Sequence, residues 1–461
     1  MQERNKQLAL TNGNILGGIL LFAFPILIGN VFQQLYNVVD TSIIGNVLGD
    51  DALAAVGATA ALYNLIIGFA NGITNGFSIV IARFFGAENA DELHKATAMS
   101  IVLTGVVSCL LTVAGLASLK TILLFLNTPQ EIFAQAESYL RIIIAFSAIT
   151  MFYNMFAGML RAIGNSRAPL YFLIIATVFN IRLDIVFVRD LGMGVAGAAY
   201  ATVIAQAISV VLCILYIVKK CPIFDMKREN FRLQPAMIKE LFTMGLSMGL
   251  MLVVVSIGSV VLQSAVNILG PQVITAHTAA RKIDDIFMLP LGTLSLAAST
   301  FASQNYGAGK MERVKKGIIS AIVIAFVWSA ISCIAVLSCG RMMIVLLSGS
   351  KDSVVINTAV KYITINIPFF FVLSILLVLR SSLQGVGRKI VPLSASMIEL
   401  VAKFVAAVFI TPLLGYLGVC ILEPVIWIIC MLLVSFDFWM FLRQDKRRTL
   451  EVRRYAGGRT R

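Results

Sequence analysis

Charge is what this sequence has least of. Asp, Glu, Lys and Arg make up 13% of its 461 residues, about half the roughly 25% of a soluble globular domain. A water-soluble chain of this length would need polar surface for about three domains, so that class is excluded. Histidine is scarce: His94 lies in a basic loop and His277 in an apolar segment, and neither has metal-ligand spacing. The seven cysteines are scattered, mostly within apolar segments, and no CxxC or CxxH occurs, which argues against zinc sites and disulfide frameworks. The run Gly307-Ala308-Gly309-Lys310 looks like part of a phosphate loop. Gln304 stands where its earlier glycine belongs and Met311 replaces Ser or Thr, so no ATP site is expected. No nucleophile, acid/base or metal constellation appears, and neither catalysis nor a cofactor is expected.

Apolar residues, at 59%, are what is abundant, in long runs between residues 15 and 442. These runs do not alternate polar with apolar as barrel strands do, so the expectation is an all-α polytopic membrane protein. Breaking the chain at charged or Gly/Pro/Asn clusters gives twelve spans: 14–46, 51–81, 93–119, 131–158, 168–190, 192–218, 235–267, 272–302, 314–347, 353–383, 390–414 and 415–442. The first is too long, and lacks the small-residue cleavage site, for a removed signal peptide. The net charge of +14 follows topology. Of 37 Lys and Arg residues, 26 fall in or beside the N-tail, the even-to-odd loops and the C-tail, and five (Lys120, Arg189, Arg341, Lys351, Lys361) fall on the opposite side. That bias puts both termini in the cytoplasm. The 219–240 linker and the basic tail 443–461 form no domain around their charges, and read as membrane-surface contacts rather than nucleic-acid sites.

The sequence repeats itself. At a shift of 221 residues, Leu48-Gly49 falls on Leu269-Gly270, Ala55 on Ala276 and Gly86-Ala87 on Gly307-Ala308; at 223, Tyr139 falls on Tyr362, Gly164 on Gly387 and Pro169 on Pro392. Each repeat holds six spans. An even number makes the halves parallel, a 6+6 bundle about a pseudo-twofold axis along the membrane normal. Residues 1–225 then form an N-lobe and 226–461 a C-lobe, with substrate taken between lobes that rock to alternate access.

Seven of the 23 acids fall within or at the edge of spans: Asp40, Asp184, Asp284, Asp285, Glu399, Glu423 and Asp437. Each costs at least ~2.5 kcal/mol at the bilayer centre and needs a partner or a purpose. Gln33, Asn37, Asp40 and Thr41 share one face of the first span, with Asn30 and Gln34 nearby, and Asn180 and Asp184 share a face of the fifth. Counted from the outer ends, Asp40 and Asp184 lie ~9 Å deep, Tyr139 ~12 Å, and Asn180 and Thr202 ~15 Å. Two carboxylates in one low-dielectric pocket do not both stay ionised cheaply. The pair is thus a place to load a proton or, with amide and hydroxyl oxygens, to hold Na⁺ at Asp40, Asn180 and Asp184. The repeat does not duplicate it: Asp40 aligns with Val261, Asn180 with Lys403 and Asp184 with Ala407, which favours an ion site in the N-lobe. In the C-lobe, Arg281/Asp285 and Glu399/Lys403 have the four-residue spacing of ion pairs. Asp284 lies off the Arg281 face and is the candidate for attracting a cationic substrate. Glu423-Pro424 marks the outer start of the last span, and Asp437 is a partner for C-terminal basic residues.

The string PILIGNVFQQLYNVVDTSIIGNVLGDDALAAVGA at 25–58, the Gly-Ala loops after the second and eighth spans, LRAIGNSRAP at 160–169, and NIRLD followed by MGVAGAAYATVIAQ at 180–206 resemble the multidrug and toxic compound extrusion (MATE) family over nearly the whole chain. The resemblance implies efflux of organic, often cationic, compounds in exchange for H⁺ or Na⁺ across a bacterial or archaeal plasma membrane. It also implies a coupling site at Asp40, Asn180, Asp184, Tyr139, Asn154 and Thr202. Asn154 fits least well, lying deeper. Arg182 departs from the family, which has an apolar residue there, and the seventh span lacks the acid of other branches.

Gln33, Gln34, Tyr36, Asn37, Asp284 and the methionines Met251 and Met288 are the candidate substrate-cavity residues, thioethers being adaptable to irregular shapes. Pro25, within the first span, frees a carbonyl and is the candidate hinge. The expected protein is a monomeric secondary antiporter for small organic molecules. A lipid-linked oligosaccharide flippase is the alternative, but it favours extra spans or a strongly cationic cavity; a membrane-embedded enzyme is the reading from another class.

Overall fold

The computed structural model describes residues 10–126 and 128–457, with side chains as far as Asp445. The basic N-terminal segment 1–9 and the tail end 458–461, used above to orient the chain, lie outside the described residues. Every regular element among the described residues is helical, and the longer helices are α1 (Ile15–Leu48), α2 (Asp50–Gly86), α3 (Ala90–Phe125), α4 (Gln130–Ala145), α5 (Ser147–Ala162), α6 (Arg167–Asp184), α7 (Gly194–Lys220), α8 (Pro235–Asn267), α9 (Pro271–Gly307), α10 (Met311–Ser348), α11 (Ser353–Asn366), α12 (Phe370–Gly385), α13 (Ile390–Val405) and α14 (Tyr416–Gly457). Eleven segments are long and apolar enough to cross a bilayer, and counting the α4/α5 pair, bent by 47°, as one span gives twelve.

The helix ends follow local chemistry. Asn14 caps α1 by accepting from Gly17 N–H at 3.0 Å, and Asn89 caps α3 by accepting from Glu92 N–H at 3.1 Å, each satisfying a donor the helix leaves orphaned. Gly49, at φ 88°, ends α1 in a region that costs other residues a Cβ clash. Along α10, Ile319, Val323, Val327, Ile331, Ile334 and Leu337 are exposed at three- and four-residue steps, an apolar stripe suited to lipid.

The repeat extends to the irregularities. The α4/α5 break at Phe146 and the 3-10 turn Ile367–Phe369 between α11 and α12 are 223-equivalents, and π-helical segments, Ile185–Asp190 after α6 and Ala406–Ile410 after α13, close the fifth span of each half. The second break holds Pro368. The first holds no proline: Thr112 of α3 inserts there, its hydroxyl donating to Ile144 O (3.2 Å) and lying 3.0 Å from Ser147 Oγ. A polar group entering the ladder is one of the established causes of a kink.

The chain forms two compact units. The first comprises Met1–Val260, Leu296–Ser320 and Gly385–Gly387; the second Val261–Ser295, Ala321–Gln384 and Arg388–Arg461. In the first unit, α2, α3, α5 and α7 pack around Phe77, Met99, Met151, Met159 and Cys213. A second cluster around Ile44, Leu119, Leu140 and Ala198 lies toward the opposite end.

At the end of the first unit that carries residue 10, hereafter the near end, backbones meet closely. A Cβ on Gly72 would sit 2.5 Å from Gly249 Cα, and one on Gly76 2.5 Å from Gly245 Cα. Paired small residues four apart on α2 and α8 permit that crossing. Further along, the contact is reciprocal: the Cβ position of Gly86 is occupied by the Gln304 carbonyl, and that of Gly307 by the Arg83 carbonyl. Arg83 and Gln304 are themselves repeat-equivalents, so this contact obeys a local twofold. Ser303 Oγ donates to Ile79 O (2.7 Å), Gln304 Nε2 to Ala162 O (2.7 Å) and Leu10 N–H to Gln304 Oε1 (2.8 Å). Arg83 pairs with Glu240 across the same seam.

In the second unit, α14 starts at Tyr416 and contains Pro424 within it. Glu423-Pro424 is therefore inside the last span, not its outer start. Asp437 is held by Arg388, at 3.1 and 2.5 Å, a residue just before α13 and not in the C-terminal tail.

Candidate functional site

Asp40 and Asp184 come together in the first unit. Asp40 is on the far half of α1, and Asp184 is the last residue of α6 before its π segment; such a segment re-aims neighbouring side chains and is frequent at functional sites. Asp184 is 0% and Asp40 9% exposed. The two carboxyls are close neighbours where α1 packs against α6 and its π segment, and two buried acids so placed are stabilised by a shared proton. The buried Oδ1 of each meets no conventional donor among the described residues. Asn180, one helical turn below, lies between Asp184 and Thr202: with its amide nitrogen turned to the acid it donates to Asp184 Oδ2 (3.1 Å) and accepts from Thr202 N–H (3.3 Å). Thr202 Oγ1 lies 3.1 Å from Tyr36 OH and also donates to Ala198 O (3.0 Å). Tyr139 and Tyr63 pack beside this group, in the core cluster that holds Ile44 and Ala198. Five of the six residues expected at the coupling site thus form one buried cluster.

The sixth, Asn154, belongs to an adjoining cavity of about 240 Å³ and donates to Thr150 O (2.9 Å). Pro25, Gln33 and Tyr36 line that cavity, as do Asn71, Asn75, Gln206 and Arg161. Thr150 donates to Gln206 there. Asn71 and Asn75, which the sequence reading did not single out, stand four apart in an otherwise apolar stretch of α2, a signal of the same kind as Asn180/Asp184. The remaining cavity candidates lie elsewhere. Asn37 borders a shallow groove with Thr41 and Asn46, and Gln34, Met251, Asp284 and Met288 do not line the cavity. Arg182 is exposed and has no ion pair among the described residues.

The second unit treats its charges differently. Arg281 Nη1 donates to Asp284 Oδ2 (3.1 Å) and to both oxygens of Glu423 (3.3 and 3.1 Å), and Nη2 reaches Asp285 at 3.5 Å. The expected Arg281/Asp285 pair is present, but Asp284 is not off the Arg281 face. Three-residue spacing lets the long guanidinium fold onto it. Tyr362 OH donates to Glu423 (2.7 Å), and Lys403 donates to Glu399 (2.8 Å) while approaching Glu423 at 3.9 Å. Tyr362 and Lys403 are the repeat-equivalents of Tyr139 and Asn180. Two cations thus stand at and beside the position that in the first unit holds two acids and none. His277 packs edge-on against Tyr362 and Tyr416 and bonds the Tyr416 hydroxyl at 3.1 Å, a packing role.

Comparison with known proteins agrees with this architecture. The MatE family model matches residues 25–186 and again 247–409, two segments that begin 222 residues apart, as the internal repeat requires. The chain is 31% identical over 306 residues to the probable multidrug resistance protein YpnP of Bacillus subtilis, covering 66% of this chain and 68% of that one. It is 26% identical over 439 residues to YoeA of the same organism, with 93% and 94% covered. A crystal structure of MATE in complex with MaL6 superposes with a TM-score of 0.88 at 24% identity, covering 95% and 98%. The outward-facing conformation of a MATE family transporter does so with 0.88 at 23%, covering 94% and 97%. The chain belongs to the MATE family of multidrug efflux transporters.

Proposed function

We propose that this protein is a secondary antiporter that exports organic, cationic or amphipathic compounds in exchange for protons, with Asp40 and Asp184 as the coupling site. The observation that carries this reading is the pair itself: two carboxyls, buried in the membrane-spanning bundle, with no cation paired to either among the described residues. Protonated, the pair closes through a shared hydrogen bond. Deprotonated, two neighbouring carboxylates repel and α1 must move or hydrate. A proton therefore binds one arrangement of α1 better than the other, which is what coupling requires. Pro25, inside α1, is the proposed hinge.

Alternating access in this reading occurs between lobes 1–225 and 226–461 in the plasma membrane, with the termini, and hence the near-end seam, cytoplasmic. Proteoliposomes loaded with an organic cation, with pH and sodium gradients imposed independently, test the ion. Efflux should follow the pH gradient; efflux driven by sodium alone would replace the proton by Na⁺ at the same residues. The flippase alternative gains nothing from a cavity lined chiefly by amides and hydroxyls with one arginine.

A further inference from the structure

The first-unit cavity has one ionic side chain in its lining, Arg161, and nothing in the coupling scheme uses it. No acid pairs with it among the described residues; Tyr153, Cys213 and the Ser78 hydroxyl are among its neighbours. An unpaired cation within a membrane-spanning bundle is costly enough to call for a purpose. The usual escape would be to snorkel toward the near-end surface, and Arg161 sits in the last turn of α5, well placed to do so. It does the opposite. A Cβ built on Gly158, one turn back toward the membrane interior, would lie 3.8 Å from Arg161 Nη2. The guanidinium is folded back along α5 over Gly158, whose missing side chain leaves room for it against Ser78, and it shares the cavity lining with Asn154 and Asn75. Along α1 the lining runs from Pro25 to Tyr36, a length of about 16 Å. Its near end is cationic and its far end adjoins the acid pair.

We propose that this cavity is the subsite for a substrate group carrying an oxyanion, a carboxylate, sulfonate or phosphate, received by Arg161 while the rest of the molecule lies on Asn71, Asn75, Asn154 and Gln206. This rests on reading the protein as an exporter and narrows its substrates to include zwitterions. A guanidinium offers a planar pair of donors matched to such a group.

The test is equilibrium binding, which needs no gradient and so fails or succeeds separately from proton coupling. The full chain in nanodiscs is titrated with rhodamine 110, which carries a free carboxylate, and with rhodamine 123, its methyl ester, by fluorescence anisotropy. Wild type should prefer the carboxylate dye, Arg161→Gln should lose that preference by about tenfold, and Arg161→Lys should keep part of it. Binding of neither dye by wild type, an unchanged preference in Arg161→Gln, or equal loss in Arg161→Lys and Arg161→Gln would overturn the proposal. Nanodiscs with and without anionic lipid separate the sources of the oxyanion: a preference that anionic lipid abolishes assigns the subsite to a headgroup phosphate, and one that survives assigns it to a soluble compound.

Discussion

A Gly76→Ala substitution would set a methyl group 2.5 Å from the Cα of Gly245. Carbon atoms are comfortable at about 3.5 to 4.0 Å, and the neighbour is backbone, so α2 and α8 must part by about 1 Å. Overpacking of this kind costs ~1 to 3 kcal/mol; at ~2 kcal/mol the closed seam loses about thirtyfold in population relative to a state with these helices apart. Ser303 reports on it, being 0% exposed and bonded to Ile79 O at 2.7 Å. With the seven native cysteines replaced, Ser303→Cys should react slowly with a soluble thiosulfonate, and about ten to thirty times faster once Gly76→Ala is added. Gly57→Ala, also in α2 but with nothing within 4 Å of its Cβ position, is the control and should leave the rate unchanged. Equal rates in Gly76→Ala and Gly57→Ala would refute the assignment of these glycines to a seam that opens.

Other substitutions probe the supporting structure. Glu423→Gln leaves Arg281 and Lys403 short of their common partner in a buried site and should cost ~3 to 5 kcal/mol, read as a lowered unfolding temperature in detergent; an unchanged temperature would remove that network from the account of the second unit. Thr112→Val takes the hydroxyl from the Ile144 carbonyl at the α4/α5 bend and should destabilise by ~1 to 3 kcal/mol, with the same assay and the same refuting result. Tyr36→Phe removes the phenol bonded to Thr202 but no charge, so transport should slow while its dependence on the pH gradient is kept; loss of that dependence would make Tyr36 part of the coupling group itself.

The spans were legible because a bilayer forces continuous apolar helices, and the acid pair because charge in such helices is rare enough for each instance to need a reason. Helical spacing alone placed Asn180 with Asp184, and depth counting placed Thr202 and Tyr139 beside them. What was not legible depended on contacts distant in sequence. Glu423 reaches Arg281 across 142 residues, and Asp437 finds Arg388 and not the nearer tail. The bend at Phe146 carries no Gly or Pro at the break, its cause being Thr112 of the preceding helix. The α2/α8 crossing was written in Gly72, Gly76, Gly245 and Gly249, but small residues in apolar helices show where backbones can meet and not which ones do. Arg161 lay inside a recognised string, where spacing could not tell a guanidinium folded into a cavity from one reaching for the surface.

The central claim is that protons move against substrate through Asp40 and Asp184. Its most direct measurement is lumenal pH in proteoliposomes when an outward gradient of rhodamine 123 is imposed without any initial pH or sodium gradient. Wild type should drive protons inward as dye leaves, and Asp40→Asn and Asp184→Asn should each bind the dye yet move no protons. Dye efflux without a pH change in wild type, or proton movement undiminished in both variants, would contradict the account.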